Sequence, residues 1–283
     1  MNLNTIFTEI EKVDPEVYDR LNSRRNTLKN FSSMGKKLAL TAIPVTLGAL
    51  LKKSYAGTRS TNDTVIEILN YALTLEYLEA EFYAKALASG GLIPAQANPS
   101  IQTIARHEAA HVNFLRTTII SLGGTPIAKP TFDFTAGNGS GTGPFANVFS
   151  NFEVFLNVAQ TFEDTGVRAY KGRAAELVQT GDILTAALRI HSVEGRHAAH
   201  IRELRKLFGS GVGDVKPWIT LNMSNINSPL VQPSYNGEEN TVQAGIQIVG
   251  IGGFDISAED ASEAFDEPLT KEQVLAIVDP FIV

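Results

Sequence analysis

The sequence from Ile101 to Leu115 reads IQTIARHEAAHVNFL, and its apolar residues recur every three or four positions, as on one face of an α-helix. A glutamate and a histidine three residues apart, Glu108 and His111, interrupt this apolar stripe at its centre. Side chains with this spacing lie next to each other on a helix. A carboxylate and an imidazole are therefore predicted side by side on a buried face, where both can bind one metal ion.

The same pattern returns between Ile190 and Ile201, where the sequence IHSVEGRHAAHI contains Glu194 and His197. Two further helical stripes each carry one central glutamate that the helical spacing turns inward. Together these positions give four glutamates and two histidines from four helices. The candidate metal ligands are Glu76, Glu108, His111, Glu163, Glu194 and His197. This is the set of ligands found in di-iron and di-manganese carboxylate bundles.

The electrostatic cost of burying these carboxylates favours a metal site over coincidence. Moving an ionised carboxylate into an apolar interior costs several kcal/mol even after relaxation, and four of them would repel one another. The four stripes contain no Lys or Arg. Two divalent cations would balance the four charges with neutral imidazoles, so we expect two Fe or two Mn ions. The alternative is a bundle whose core acids are protonated or partly solvated, an ancestral site that no longer binds metal.

Other acidic and histidine side chains near these positions compete for the same roles. Glu79 lies only about 60° around the first helix from Glu76 and is its main rival, although Glu76 is better centred in its stripe. His107 and His191 are expected beside the ligands or at the boundary of the site, and His200 is expected to face outward.

Two tyrosines lie on the same stripes as two of the candidate ligands, two turns beyond them. They are Tyr83, which follows Glu76, and Tyr170, which follows Glu163. Core packing is the expected role of both. A hydrogen bond to a ligand or a redox role is the alternative.

The apolar stripes and their punctuation predict four helices. Their ranges are 61–89, 98–122, the segment from after Pro144 to its end at Thr180-Gly181, and 182–208. Asn98 and Asp182 are predicted to cap the second and fourth helices. A short final helix is predicted over 270–279, with Thr270 as its cap and Glu272 in its first turn, and a strand over Val242–Val249.

The connections predict how the four helices are arranged. The short links 90–97 and 180–182 make the first two and the last two helices antiparallel neighbours. The link 123–144 is long enough to run the full height of a bundle. One long crossover between two helical hairpins is typical of ferritin-like bundles. The predicted fold is therefore all-α, a ferritin-like four-helix bundle with an N-terminal signal segment and an irregular C-terminal extension.

The N-terminal segment is similar to a twin-arginine export signal. The pair Arg24-Arg25 precedes an apolar run over 38–51, and the small residues Ser54 and Ala56 follow it. The run is too short for a permanent membrane anchor. We therefore expect a periplasmic protein exported by the twin-arginine route. The alternative is a cytoplasmic protein in which 5–22 form a surface helix and 38–51 a buried one.

Composition limits the remaining classes of function. The chain has no cysteine, which excludes thiolate metal sites, iron–sulfur clusters, cysteine nucleophiles and disulfides. Its net charge is −6, and no basic face for a nucleic acid is evident. The predicted domains are the signal segment 1–56, the bundle 57–208 and an acidic extension 209–283 that packs on the bundle. The extension could cover a bundle end or form a subunit contact, so a homo-oligomer is possible and a 24-subunit cage is doubtful.

Several motifs carry a family likeness. The segment LNYALTLE at 69–76 resembles the first helix of bacterioferritin-type proteins, and the two Glu-x-x-His pairs match that superfamily, which includes manganese catalases. Four further motifs resemble an exported bacterial ferritin-like family that is related to plant desiccation-related proteins. They are LEYLEAEFY at 75–83, FDF at 132–134, GVRAY at 166–170 and FDEPLT at 265–270.

The resemblance implies a fold and a metal site, and it leaves three functional hypotheses. The first is a dimetal oxidase, ferroxidase or manganese-catalase-like enzyme that acts on dioxygen or peroxide in the cell envelope. In it Glu108 and Glu194 would bridge the metals, Glu76 and Glu163 would be terminal ligands, and each histidine would bind one ion. The second is a non-catalytic scaffold for stress or desiccation tolerance. The third is a metal storage protein.

Overall fold

The computed structural model describes residues 62–210 and 215–283, and most of them are helical. The four long helices are α1 (Asn62–Ala88), α2 (Asn98–Ser121), α3 (Phe152–Ala174) and α4 (Asp182–Phe208). Two short helices follow, α5 (Ala258–Glu263) and α6 (Lys271–Val278), together with the two-residue strands β1 (Val242–Gln243) and β2 (Ile246–Gln247). The predicted all-α class and the four main helices are confirmed.

The helices pack as two hairpins joined by one long connection. Helix α1 packs mainly on α2, α3 packs mainly on α4, and α1 also packs on α3. The crossover between the hairpins spans 122–151 and contains no helix. This is the ferritin-like connectivity predicted from the link lengths.

Two of the predicted helix caps are wrong. Helix α2 begins after Ala97, whose side chain cannot cap it, and Asn98 is already helical. Asp182 is the first residue of α4, so it lies one position too late to be the cap. Thr180 caps the first turn of α4 instead, because its Oγ1 accepts a hydrogen bond from the backbone N–H of Leu184 at 3.2 Å.

Aromatic packing fills the core between the hairpins. Phe82 on α1 is fully buried and stacks on Phe155 of α3, with ring centroids 5.0 Å apart. Phe162 of α3 and Phe134 of the crossover close around the same ring at 5.1 and 5.4 Å. Large aromatic side chains bury much apolar area, so this cluster fixes the spacing of α1 and α3.

The C-terminal extension packs on the outer side of α3. The buried guanidinium of Arg168 donates to backbone carbonyl oxygens of Ser234, Asn236 and Glu267 at 2.6, 2.9 and 2.8 Å. At Gly172 a Cβ atom would lie only 2.0 Å from a carbonyl oxygen of the extension, so the close approach requires glycine.

The extension is less regular than predicted around Val242–Val249. Only residues of β1 and β2 form strands there, as an antiparallel pair in which Val242 lies opposite Gln247. The final helix is confirmed as α6, with Thr270 as its cap, accepting from the Gln273 N–H at 3.2 Å. The chain then returns to the crossover, where Phe132 and Ile282 form an isolated antiparallel bridge.

The predicted signal segment, 1–56, lies outside the described residues and stays a prediction. Among the helices of the described ranges, none combines the length and the apolar character that crossing a membrane would require.

Candidate metal centre

All four glutamates that interrupt the apolar stripes are completely buried in the middle of the bundle. One comes from each long helix, because each stripe faces the same interior space. These residues are Glu76 on α1, Glu108 on α2, Glu163 on α3 and Glu194 on α4. The structure also brings the two histidines of the Glu-x-x-His pairs to this point, His111 from α2 and His197 from α4.

The six side chains form two overlapping groups, each of which could hold one cation. Within each group, one oxygen or nitrogen atom per residue lies within 4.8 Å of every other. The first group consists of Glu76, Glu108, His111 and Glu194, and the second of Glu108, Glu163, Glu194 and His197. Glu108 and Glu194 belong to both.

The first group surrounds the Nδ1 atom of His111. This nitrogen lies 3.2 Å from Glu76 Oε2, 3.2 Å from Glu108 Oε2 and 3.3 Å from Glu194 Oε1. The imidazole therefore turns one nitrogen toward three carboxylates from three different helices.

The second group surrounds the Nδ1 atom of His197 in the same manner. This nitrogen lies 2.8 Å from Glu108 Oε1, 3.4 Å from Glu163 Oε2 and 4.0 Å from Glu194 Oε2. Each shared carboxylate, Glu108 or Glu194, thus directs one oxygen toward each histidine.

Several atoms at this centre are buried without a hydrogen bond of acceptable geometry within the described ranges. They are Glu108 Oε1, Glu163 Oε2, both oxygens of Glu194 and His197 Nδ1. Although His197 Nδ1 is close to Glu108 Oε1, the two atoms are not aligned for hydrogen bonding. Such buried acceptors are costly unless satisfied, and oxygen and imidazole donors are what iron and manganese bind. The donor set therefore fits metal binding.

The protonation of the metal-free centre reflects crowded negative charge. Burial raises the pKa of Glu76 to about 8, and burial together with the charge of Glu108 raises that of Glu194 well above its usual value. Burial also acts to raise the pKa of Glu108, but the hydrogen bond from His111 and the nearby imidazole of His197 outweigh burial and lower the pKa to about 2. Burial acts to lower the pKa of both histidines, but the neighbouring carboxylates outweigh it. They raise the pKa of His111 to about 12 and that of His197 to about 11.

No Lys or Arg among residues 62–210 and 215–283 forms an ion pair with the six side chains. The three fully buried arginines point elsewhere. Arg168 pairs with Glu238, Arg202 pairs with Asp164, and Arg205 donates to Gln160 and to carbonyl oxygens. The negative charge of these carboxylates must therefore be neutralised by protons or by a bound cation.

The two tyrosines do more than pack in the core, contrary to the expectation. Tyr83 on α1 donates its hydroxyl to Glu163 on α3, and Tyr170 on α3 donates to Glu76 on α1. Both side chains are buried. Each of the helices α1 and α3 thus supplies a tyrosine hydroxyl to a carboxylate of the other helix. These hydrogen bonds hold each of the two carboxylates in one orientation.

Glu79 lies next to the centre but outside both groups. It is only 3 % exposed, and burial followed by the charge of Glu194 raises its pKa well above the usual value. A Cβ atom at Gly166 would lie 3.3 Å from Glu79 Oε1 and 3.4 Å from Glu194 Oε2, so this glycine leaves room for both carboxyl groups. Glu76, rather than Glu79, is the carboxylate that α1 brings to the histidines.

The remaining histidines have three different environments. His107 contacts His197 directly, with its Nδ1 2.9 Å from His197 Nε2, as expected for a residue beside a ligand. His191 lies at the boundary, with Nδ1 3.0 Å from the Val167 carbonyl oxygen. The expectation that His200 faces outward is wrong, because it is half-buried and its Nε2 is shielded from solvent.

Sequence reasoning missed the specific partners of His107 and of the tyrosines. The clustering of histidines at 107–111 and 191–200 was the available signal for the former. The hydroxyl partners have no signal in the sequence, because each lies on another helix.

Comparison with known proteins agrees with this architecture. A family model described as a ferritin-like domain matches residues 64–207, slightly more than half of the chain and the span from α1 to α4. No curated protein matches the chain.

Proposed function

The chain belongs to the ferritin-like domain family, and we propose that it binds two iron or two manganese ions and acts as an oxidoreductase on dioxygen or peroxide. One observation carries the proposal. Glu108 and Glu194 each present one oxygen to the His111 side of the centre and the other to the His197 side. A carboxylate with its oxygens turned to two neighbouring imidazoles suits a bridge between two cations.

The remaining four side chains would complete the two positions. Glu76 and His111 would serve one ion, and Glu163 and His197 the other, with the carboxylates as terminal ligands. Four carboxylates and two neutral imidazoles match the charge of two divalent ions. The absence of any Lys or Arg ion pair to these six side chains in the described ranges supports this charge balance.

The chain's own groups would prepare the centre for such chemistry. The hydroxyls of Tyr83 and Tyr170 orient the terminal carboxylates, as outer partners of metal ligands commonly do. Burial of all four glutamates keeps bulk water from the carboxylate oxygens. When bound, redox-active ions would supply the electron transfer to dioxygen or peroxide.

Metal loading is the first test. We expect the full chain, loaded without oxygen with ferrous or manganous ion, to retain two ions after removal of excess metal. Glu108→Ala removes an oxygen from both positions and should abolish binding. Glu272→Ala, an exposed glutamate on α6, is the matched control and should bind as wild type does. Fewer than one ion per wild-type chain would contradict the proposal.

Turnover is the second test. The loaded protein should consume dioxygen or peroxide, and the Glu108→Ala variant should not. Metal bound without turnover would favour the non-catalytic scaffold, whereas an oligomer with an iron core would favour storage. The same proposal places the protein in the cell envelope after twin-arginine export, which fractionation of the native host would test.

A further inference from the structure

We propose that the two metal positions are unequal, and that His107 causes much of the difference. The position formed by Glu108, Glu163, Glu194 and His197 is called the His197 position, and the one formed by Glu76, Glu108, His111 and Glu194 the His111 position. The first should bind its ion first and more tightly, and the second should bind later and exchange its ion more readily. This inference rests on the proposed dimetal function.

The outer nitrogen of His197 is held by another side chain. Its Nε2 lies 2.9 Å from Nδ1 of His107, and the two rings meet edge to edge and nearly coplanar, with centroids 5.2 Å apart and planes at 15°. An imidazole that binds a cation through Nδ1 must carry its proton on Nε2. His197 therefore donates and His107 accepts, which fixes the tautomer and the ring orientation that the His197 position needs.

His111 has no equivalent support. Its Nδ1 faces the carboxylates, but no described residue forms a hydrogen bond with its Nε2. Its side chain is 12 % exposed, against 5 % for His197. The ring can therefore reorient at lower cost, and solvent reaches it more easily.

The terminal carboxylates have different surroundings as well. On the His197 side, the ring of Tyr83, which donates to Glu163, packs edge-on against Phe82 and Phe155 at 5.5 and 6.0 Å. On the His111 side, Tyr170, which donates to Glu76, lines a narrow apolar cavity of about 20 Å³. Dense packing restricts Tyr83, whereas the cavity leaves Tyr170 some free space to adjust.

A rigid set of ligands loses less conformational freedom on binding. The support of His197 and the dense packing of Tyr83 therefore both favour tighter binding at the His197 position. Outer partners of ligating histidines typically contribute 10- to 100-fold in metal affinity. His107 is exposed on the outer face of α2, so its replacement removes little core packing. It is a positioning residue that acts through His197.

The test is a stepwise anaerobic titration of the full chain with Mn²⁺, in which calorimetry measures the heat of each binding step. We expect two binding steps, and crystals loaded with one equivalent should show anomalous scattering at the His197 position. His107→Ala should weaken the first step by about 10- to 100-fold and leave the second within a few-fold. His107→Gln, whose side-chain oxygen can accept the same hydrogen bond, should restore most of the affinity.

His191→Ala is the matched control, because among the described residues the hydrogen-bond contact of His191 is with a backbone carbonyl outside both positions. It should leave both steps unchanged. Equal occupancy of the two positions at one equivalent, or an unchanged first step in His107→Ala, would overturn the inference. Failure of wild type to bind Mn²⁺ or Fe²⁺ at all would instead overturn the proposed function, so the two failures are distinguishable.

Discussion

Glu163 and Asp164 are adjacent on α3 and both are buried, yet they belong to charge clusters of opposite character. Asp164 binds the guanidinium of Arg202, whose Nε lies 3.3 Å from Oδ1, and accepts a hydrogen bond from the Tyr235 hydroxyl at 2.8 Å. We call Asp164, Arg202 and Tyr235 the arginine-paired cluster. Glu163 instead faces the carboxylate-rich centre, and its ion-pair partner among the described residues is His197.

The difference separates a structural use of buried charge from a functional one. The arginine-paired cluster contains its own counter-charge and joins α3, α4 and the C-terminal extension, so it is complete without a ligand. The six proposed metal ligands, the carboxylate cluster, have more acidic groups than the two histidines can neutralise. Burial therefore raises the pKa of Glu163 above its usual value. A cluster in this condition gains stability from a cation that the chain does not supply.

Asp164→Asn should give the largest effect, because it leaves the Arg202 guanidinium buried without a counter-charge. Breaking a buried ion pair in this way costs about 3–5 kcal/mol in the free energy of unfolding. Urea denaturation of the metal-free protein would measure it. The exposed control Asp255→Asn should change stability by less than about 0.5 kcal/mol. A loss below about 1 kcal/mol at position 164 would contradict the structural role.

Metal should stabilise the carboxylate cluster increasingly as pH rises. Burial raises the pKa of Glu76 from 4.5 to about 8, so the folded metal-free chain keeps a proton that the unfolded chain releases. That contribution is complete below pH 4.5 and is lost as pH rises toward about 8. The pKa of Glu108 shifts in the opposite direction, to about 2, so this group does not titrate in the range between pH 4.5 and about 8.

Bound metal displaces the proton, so its apparent affinity rises with pH. At a free Mn²⁺ concentration of 100 Kd, the stabilisation should be about 2.7 kcal/mol. Thermal unfolding between about pH 5 and 8, with and without Mn²⁺, would measure the difference. The gain in Tm should grow toward pH 8, and a gain that shrinks would count against metal binding at these carboxylates.

The same comparison shows what the sequence can reveal. The six side chains of the carboxylate cluster were predictable because an acidic residue at the centre of an apolar stripe conflicts with burial. The two Glu-x-x-His spacings added the direction of each pair. The bundle connectivity followed from the lengths of three links. These are local properties of the chain, and a helix converts them directly into geometry.

The arginine-paired cluster was not predicted, because its members come together only in the folded chain. Tyr235 lies 71 positions after Asp164, in a segment without regular structure. The contact between His107 and His197 likewise depends on the distance between α2 and α4. The cap of α4 was missed for a smaller reason, since Thr180 and Asp182 are both suitable cap residues two positions apart.

In each cluster one carboxyl group accepts a hydrogen bond from a tyrosine hydroxyl, and removing that hydroxyl should destabilise the two clusters by different, smaller amounts. Tyr235→Phe takes a hydrogen bond from Asp164, the carboxylate that pairs with Arg202, and should cost about 1.5–3 kcal/mol. Tyr83→Phe takes one from Glu163, whose raised pKa favours its neutral form, so about 0.5–1.5 kcal/mol is expected. Urea denaturation of both metal-free variants tests the order, and equal losses would contradict it.

Glu163→Gln should have the smallest effect on stability and the opposite sign to Asp164→Asn. The amide keeps an oxygen to accept the Tyr83 hydrogen bond, and unlike the carboxyl group it cannot ionise in a centre where Glu108 and Glu194 already compete for two histidines. Because burial disfavours the ionised form of Glu163, a small gain in the free energy of unfolding is expected in the metal-free protein. The variant should also lose the metal that is proposed to bind beside His197. Urea denaturation without metal and Mn²⁺ titration would measure the two effects.

If Glu163→Gln instead destabilised the metal-free protein as strongly as Asp164→Asn, the two clusters would have the same structural role, and the proposed need for a cation would lose its physical basis.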